Sequence, residues 1–279
     1  MALVINTNIN SLNTQRNLSA SQSSLSTAMQ RLSSGLRINS GADDASGLAI
    51  ATKMDSQIRG MNVAIRNSND AISFAQTADG GLSKITDSLQ RMRELAVQGA
   101  NGTTDNASLT AEFTQLQSEI TRVSSSTNFN GTNTLGATAA SGISFQVGAG
   151  TTANDVVTVT GPTDLTASTS KTAISAASSI SVSTASGSSA AITAIDLAIT
   201  EVNSSRATFG AVQNRFSSIV SNLQISSENQ SAAKSRIMDT DFAAETANLT
   251  RSQILQQAGT AMLAQANSSP NGVLALLRG

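Results

Sequence analysis

The chain has 279 residues, 13% of them charged, a formal net charge of −1, and no His, Cys, Trp or Tyr. That balance offers no basic field for nucleic acid. It excludes nucleophile systems that need His and zinc sites built from His and Cys, and leaves a carboxylate-pair hydrolase formally open without a spacing that suggests one. With 3% aromatic residues and 2 prolines, the core is expected to be thin, made of long helix-on-helix contacts aided by contacts between subunits.

From Met1 to Gln15 there is no charged side chain, yet Ile5, Ile9 and Leu12 mark one apolar face. A first helix is expected over about 6–36, where Leu18, Leu25 and Leu32 recur every seven residues. Arg37-Ile38-Asn39-Ser40-Gly41 reads as a loop. Asp43 and Asp44 open the second helix at the positive end of its dipole and read as caps rather than metal ligands. This helix extends to about Gly99 on Ile58, Met61, Ile65, Ile72, Ala75, Leu82, Leu89 and Ala96, with a kink or weak point expected at Gly80-Gly81. Arg91, Arg93 and Glu94 by themselves read as a solvated face with helix ion pairs worth about 0.2–0.5 kcal/mol each. After a turn at 101–106, a third helix over about 108–124 carries Leu109, Phe113, Leu116, Ile120 and Val123.

Past Asn128-Phe129-Asn130-Gly131 the period becomes two. Ile143 to Val147 and Val157 to Thr160 predict a hairpin with a long loop containing Gly148-Ala149-Gly150. Residues 161–189 are Ser/Thr/Ala-rich and read as a small β or irregular outer segment. Helix returns near Ala190 on Ile192, Ile195, Ile199, Val202, Phe209, Phe216, Ile219 and Leu223, breaks near Asp239 to Asp241, and resumes from Phe242 to about Asn267, where Pro270-Asn271-Gly272 is expected to stop it. From Ser252 to Leu277 charge is again absent. Leu255, Met262 and Leu263 form a face, followed by the apolar tail Val273, Leu274, Leu276 and Leu277.

Uncharged amphipathic ends are unusual, because chain termini normally fray in water. They are expected to be buried against each other or against copies of the chain, which points to assembly rather than catalysis. The fold class is mainly α: about 45 residues from Ala190 to Lys234 extend roughly 65 Å. This implies an elongated rod of antiparallel coiled-coil helices whose N- and C-terminal helices pair at one tip. Three divisions follow: terminal helices 1–42 and 236–279, a helical bundle with a β-hairpin over 43–160 and 190–235, and the outer segment. The heptads alone fit any coiled coil or bundle. The apolar ends alone also fit an ordinary core; a membrane-surface helix is disfavoured by their lack of basic residues. No stretch is long and apolar enough to span a membrane and there is no Sec-type signal, so a secreted chain needs a dedicated route. No cofactor is expected.

Several runs carry a resemblance. Ile5-Asn6-Thr7-Asn8, Leu32 to Asn39, Asp43 to Ile50, Gly210 to Phe216, Gln253 to Thr260 and the closing Val273 to Arg278 resemble bacterial flagellin, over about the first 160 and last 90 residues. The resemblance implies a non-enzymatic, secreted subunit whose terminal helices form an inner tube in a helical homopolymer that serves as a propeller. Ile5, Ile9, Leu12, Leu255, Met262, Leu263, Leu274 and Leu277 are then the expected inner-tube contacts. It also implies unfolded export through the flagellar channel, an export chaperone, and filament cap and hook-associated proteins as partners. Gln90 to Gln98 resembles the segment that a host Toll-like receptor recognises, so Arg91, Leu95 and Glu112 are expected to serve both receptor and axial subunit contacts. Small side chains over 210–235 are expected to let helices slide between two protofilament packings. A hook–filament junction protein is the nearest rival. It would not be expected to keep the 253–260 run so faithfully.

Overall fold

The computed structural model describes residues 7–101, 106–161 and 181–278, with side chains described as far as residue 269. The described residues form six α-helices and two small antiparallel hairpins. The chain divides into two compact units, Met1–Ser56 with Gln230–Gly279, and Gln57–Asn229.

In the first unit, α1 (Ile9–Ser34) starts where the Asn8 side chain accepts a hydrogen bond from the Ser11 N–H at 3.1 Å. It ends at Gly35, whose φ of 73° suits a residue without Cβ and whose N–H reaches back to the Arg31 carbonyl at 2.8 Å. The helix is therefore shorter at both ends than the heptads suggested. Asp44 caps α2 (Ala45–Gly99) by accepting from the Gly47 N–H at 2.8 Å. Asp43 caps the preceding loop instead, accepting from the N–H groups of Asn39 and Ser40 and from the Ser40 hydroxyl.

The break expected near 239–241 lies between α5 (Ala185–Met238) and α6 (Phe242–Arg278), where Asp241 accepts from the N–H groups of Ala243 and Ala244. Arg37 donates its N–H to the Met238 carbonyl at 2.6 Å, and Thr240 donates to Gly35 at 3.0 Å. These bonds fix the start of α6 beside the end of α1. From there α6 runs back antiparallel to α1. Pro270 does not stop it, contrary to the sequence expectation, and helical backbone continues to Arg278. A proline inside a helix removes one N–H and costs about 3 kcal/mol, but it need not end a helix that is held along its side.

The second unit is built on α2, α3 (Asn106–Ser126) and α5. The ion pairs Arg93–Asp196 and Arg206–Asp79 set α2 and α5 antiparallel. Ala75, Leu82, Leu89 and Ala96 of α2 are fully buried, with Ile85 and Met92 between them. Opposite stand Ile195, Val202, Phe209 and Phe216 of α5 and Phe113 and Ile120 of α3. Each such large side chain contributes about 1.5–3 kcal/mol on leaving water. α5 begins five residues earlier than expected because the Thr184 hydroxyl accepts from the Gly187 N–H at 3.1 Å, a local cap. Gly80-Gly81 lies within unbroken helix. Gly81 marks a close approach rather than a break, since a Cβ there would meet Thr127 at 2.9 Å and Leu135 at 3.1 Å.

Two hairpins, not one, follow α3. The first pairs β1 (Asn128–Phe129) with β2 (Thr132–Asn133) across Asn130-Gly131, both with positive φ, the tight turn that an Asn-Gly pair favours. A short helix, α4 (Ala137–Ala140), leads to the expected hairpin of β3 (Ile143–Gln146) and β4 (Val156–Val159), in which Ile143 faces Val159 and Phe145 faces Val157. Ring contacts join Phe129 to Phe74, Phe74 to Phe145, and Phe145 to Phe216 with centroids about 6 Å apart, so both hairpins rest on the helices through four phenylalanines. Residues 162–180, most of the expected outer segment, lie outside the described residues.

Candidate functional site

The surface of the α1–α6 pair departs most from ordinary soluble helices. Asn8 donates its side-chain amide to the Ala266 carbonyl and Ser11 its hydroxyl to the Asn267 side chain, both at 2.7 Å. Leu18 lies against Gly259, and Arg31 stands 3.8 Å from Glu245. A hydroxyl-lined groove of about 460 Å³ between the helices is bordered by Ser21, Ser24, Thr27, Arg31, Glu245 and Ser252. Small polar residues thus line much of the seam beside Leu18 and the Arg31–Glu245 pair, and several large apolar side chains are turned outward.

Ile9 is 65% exposed, Met262 62%, Leu12 52% and Leu255 50%. All four belong to the face singled out in the sequence. Leu263 is half-buried. Ile5 lies outside the described residues, as do the side chains of Leu274 and Leu277. Met29, which lies between the heptad leucines of the first helix, and Phe242 and Ile254, which the periodicity does not single out, are also at least half exposed. Phe242 could have been recognised as a large aromatic at the first position after a capping Asp, where a helix has not yet turned a side chain toward its partner. Seven large apolar side chains in water on one helix pair is the signature of a surface that another surface covers.

A second, charged patch lies in the other unit. Arg91 of α2 donates to Glu112 of α3 at 2.8 Å and to Glu94 at 2.9 Å. The hydrogen bond to Glu112 first, and that to Glu94 second, holds the Arg91 guanidinium above its ordinary pKa. All three side chains are 45–62% exposed. Asp196 raises the pKa of Arg93 in the same way. Leu95, expected beside Arg91 and Glu112, is 1% exposed and packs in the core. The patch therefore leaves Arg91 and Glu112 at the surface, while Leu95 lies in the core.

Among the described residues no group of three or more His, Cys, Asp or Glu side chains could hold a metal, and no helix is long and apolar enough to cross a membrane. The two surfaces can bind and position.

The chain matches the model of the bacterial flagellin N-terminal helical region over residues 5–140 and that of the C-terminal helical region over residues 192–277. It is 43% identical over 279 residues to a flagellin of Halalkalibacterium halodurans, covering 99% of this chain and 100% of the relative. A flagellin of Bacillus subtilis is 43% identical over 302 residues, covering 98% and 99%. The flagellar filament 30.7 kDa core protein of Treponema maltophilum is 41% identical over 284 residues, covering 99% and 100%.

Proposed function

The chain belongs to the bacterial flagellin family, the structural subunits of the flagellar filament, and from that premise we propose how its surfaces are used. Flagellins are not enzymes; they self-assemble, and their filament is the extracellular part of the organelle of motility. In our reading α1 and α6, with the flanking residues 1–42 and 236–279, form the inner tube. Ile9, Leu12, Leu255, Met262 and Leu263 are its contacts between copies, and Ile5, Leu274 and Leu277 extend the stripe in the sequence. One observation carries this: seven large apolar side chains of the pair stand at least half in solvent, an arrangement that costs free energy in a free chain and is recovered when copies cover one another. The uncharged stretches 1–15 and 252–277 fit the same use, because they bring no charged side chain to be buried on assembly.

The test is electron microscopy of purified chain at high salt. The full chain forms long filaments, and a chain lacking 1–42 and 236–279 forms none. Long tubes from the trimmed chain would end this reading.

The finer roles rest on the same premise. The chain leaves the cell unfolded through the flagellum's own channel, with an export chaperone holding its C-terminal helices. In the filament it meets the cap and the hook-associated proteins. Its freedom from cysteine suits passage across an oxidising boundary. The exposed Arg91–Glu112 pair over buried Leu95 serves axial contact between stacked copies and recognition of the monomer by a host Toll-like receptor. Reporter cells bearing that receptor should lose most of their response to Arg91→Ala. A full response, or equal responses to monomer and intact filament, would reject the shared surface. Leu95→Ala is read beside a melting curve, since it also opens the core.

A further inference from the structure

We propose that Asn8 holds the register of the terminal helix pair at the end away from the Gly35–Thr240 backbone bonds, because its amide supplies the one hydrogen bond that Pro270 withholds. In an α-helix each N–H pairs with the carbonyl four residues earlier. At position 270 the partner is the carbonyl of Ala266, and proline has no N–H to give it. Asn8 fills the gap from the facing helix, its Nδ2 lying 2.7 Å from that carbonyl, while its Oδ1 caps α1 through the Ser11 N–H. Ser11, itself buried, adds its hydroxyl to Asn267 one residue further on.

Away from the backbone bonds of Arg37 and Thr240 at the other end, the rest of the seam discriminates register poorly. Leu18, Leu25 and Leu32 repeat every seven residues and the remaining contacts are small and neutral, so a slip by a turn or two replaces like with like. The Arg31–Glu245 pair, at 3.8 Å, is beyond hydrogen-bond length. Pro270 is the only proline in α6, so the helix offers a single interior carbonyl of this kind. In a slipped pair the Asn8 amide faces carbonyls already used within their own helix, and Ala266 loses its donor. The part-buried Ala266 carbonyl is then left without that bond. Two features that each look unfavourable alone, a proline within a helix and a polar side chain between helices, are therefore one device.

The test is a double-mutant cycle on seeded filaments of the full chain. Asn8→Ser keeps the cap but does not reach Ala266; Asn8→Asp keeps length and cap but cannot donate. With Pro270 present, each should raise the critical concentration for polymerisation about fivefold, the size of one net hydrogen bond. With Pro270→Ala the helix supplies its own N–H, and the same changes should raise it less than about twofold. Equal losses in both backgrounds would overturn the proposal, leaving Asn8 as a cap alone.

Should Pro270→Ala chains fail to polymerise, cysteine pairs decide. The Leu18 Cβ and a Cβ built at Gly259 are 3.8 Å apart, within disulfide range, and the chain has no cysteine of its own. Leu18→Cys with Gly259→Cys reports the native register, and Leu18→Cys with Leu263→Cys reports a one-turn slip. Asn8→Ser should shift crosslinking toward the slipped pair, and unchanged yields would refute the register role.

Discussion

Replacing Met262 by Ser tests whether the outward apolar face works in assembly. Fully burying a Met side chain is worth about 1.5–3 kcal/mol. Met262 keeps 62% of its surface in water in the isolated chain, so roughly 1–2 kcal/mol is left to gain when a neighbour covers it. Met262→Ser forfeits that gain at every subunit added, which raises the critical concentration about five- to thirtyfold. The assay is sedimentation of seeded filaments across total protein concentration, with the plateau of unsedimented chain as the readout. Met262 belongs to the unit formed by the chain ends, so thermal unfolding of the 57–229 unit should not move. A critical concentration within twofold of the parent would mean that Met262 still faces solvent in the polymer. The assignment of this face to the inner tube would then fail.

Adjacent glycines in α2 should respond with opposite signs. A Cβ at Gly80 meets nothing within 4 Å, so Gly80→Ala should stabilise the 57–229 unit by about 0.5–1 kcal/mol through helix propensity. Gly81→Val drives its side chain into Thr127 and Leu135 and should destabilise it by about 1–3 kcal/mol. Urea unfolding of both variants measures the two effects, and a shared sign would refute the packing assigned to Gly81. The β3–β4 loop should loosen in acid. Asp155 accepts from the hydroxyl and N–H of Thr152, which lower its pKa below the ordinary 3.8. Because the folded-state value is depressed, its contribution is fully present above the unfolded value near 3.8 and is lost as pH falls through the lower folded value. Amide exchange of residues 147–156 should accelerate in that window, and Asp155→Asn should flatten the dependence.

Long periodic runs were readable because burial follows spacing. Leu82, Leu89, Phe209 and Phe216 lie in the core where the heptads put them, and the β3–β4 hairpin follows from strict alternation. What escaped the sequence depended on partners far along the chain or on two-residue signals. Pro270 was read as a stop because the helix beside it is invisible from residue 270. The β1–β2 hairpin is only two residues per strand, too short for a period, although Asn130-Gly131 was its signal. The resemblance puts Leu95 with Arg91 and Glu112 because it lies in the same segment, but its helical angle points it inward. The outward set was half legible. Ile9, Leu12, Leu255 and Met262 stand out in uncharged stretches, whereas Phe242 sits beside capping residues that disguise it.

The hydrogen bond from Asn8 to Ala266 closes a span of 258 residues. Closing so wide an arc costs about 2 kcal/mol more chain entropy than closing one of 20 residues. During synthesis α1 has no mate until residues beyond 242 have been made, so a message cut short yields a polypeptide whose opening helix is left single. The pairing of α1 thus waits on α6.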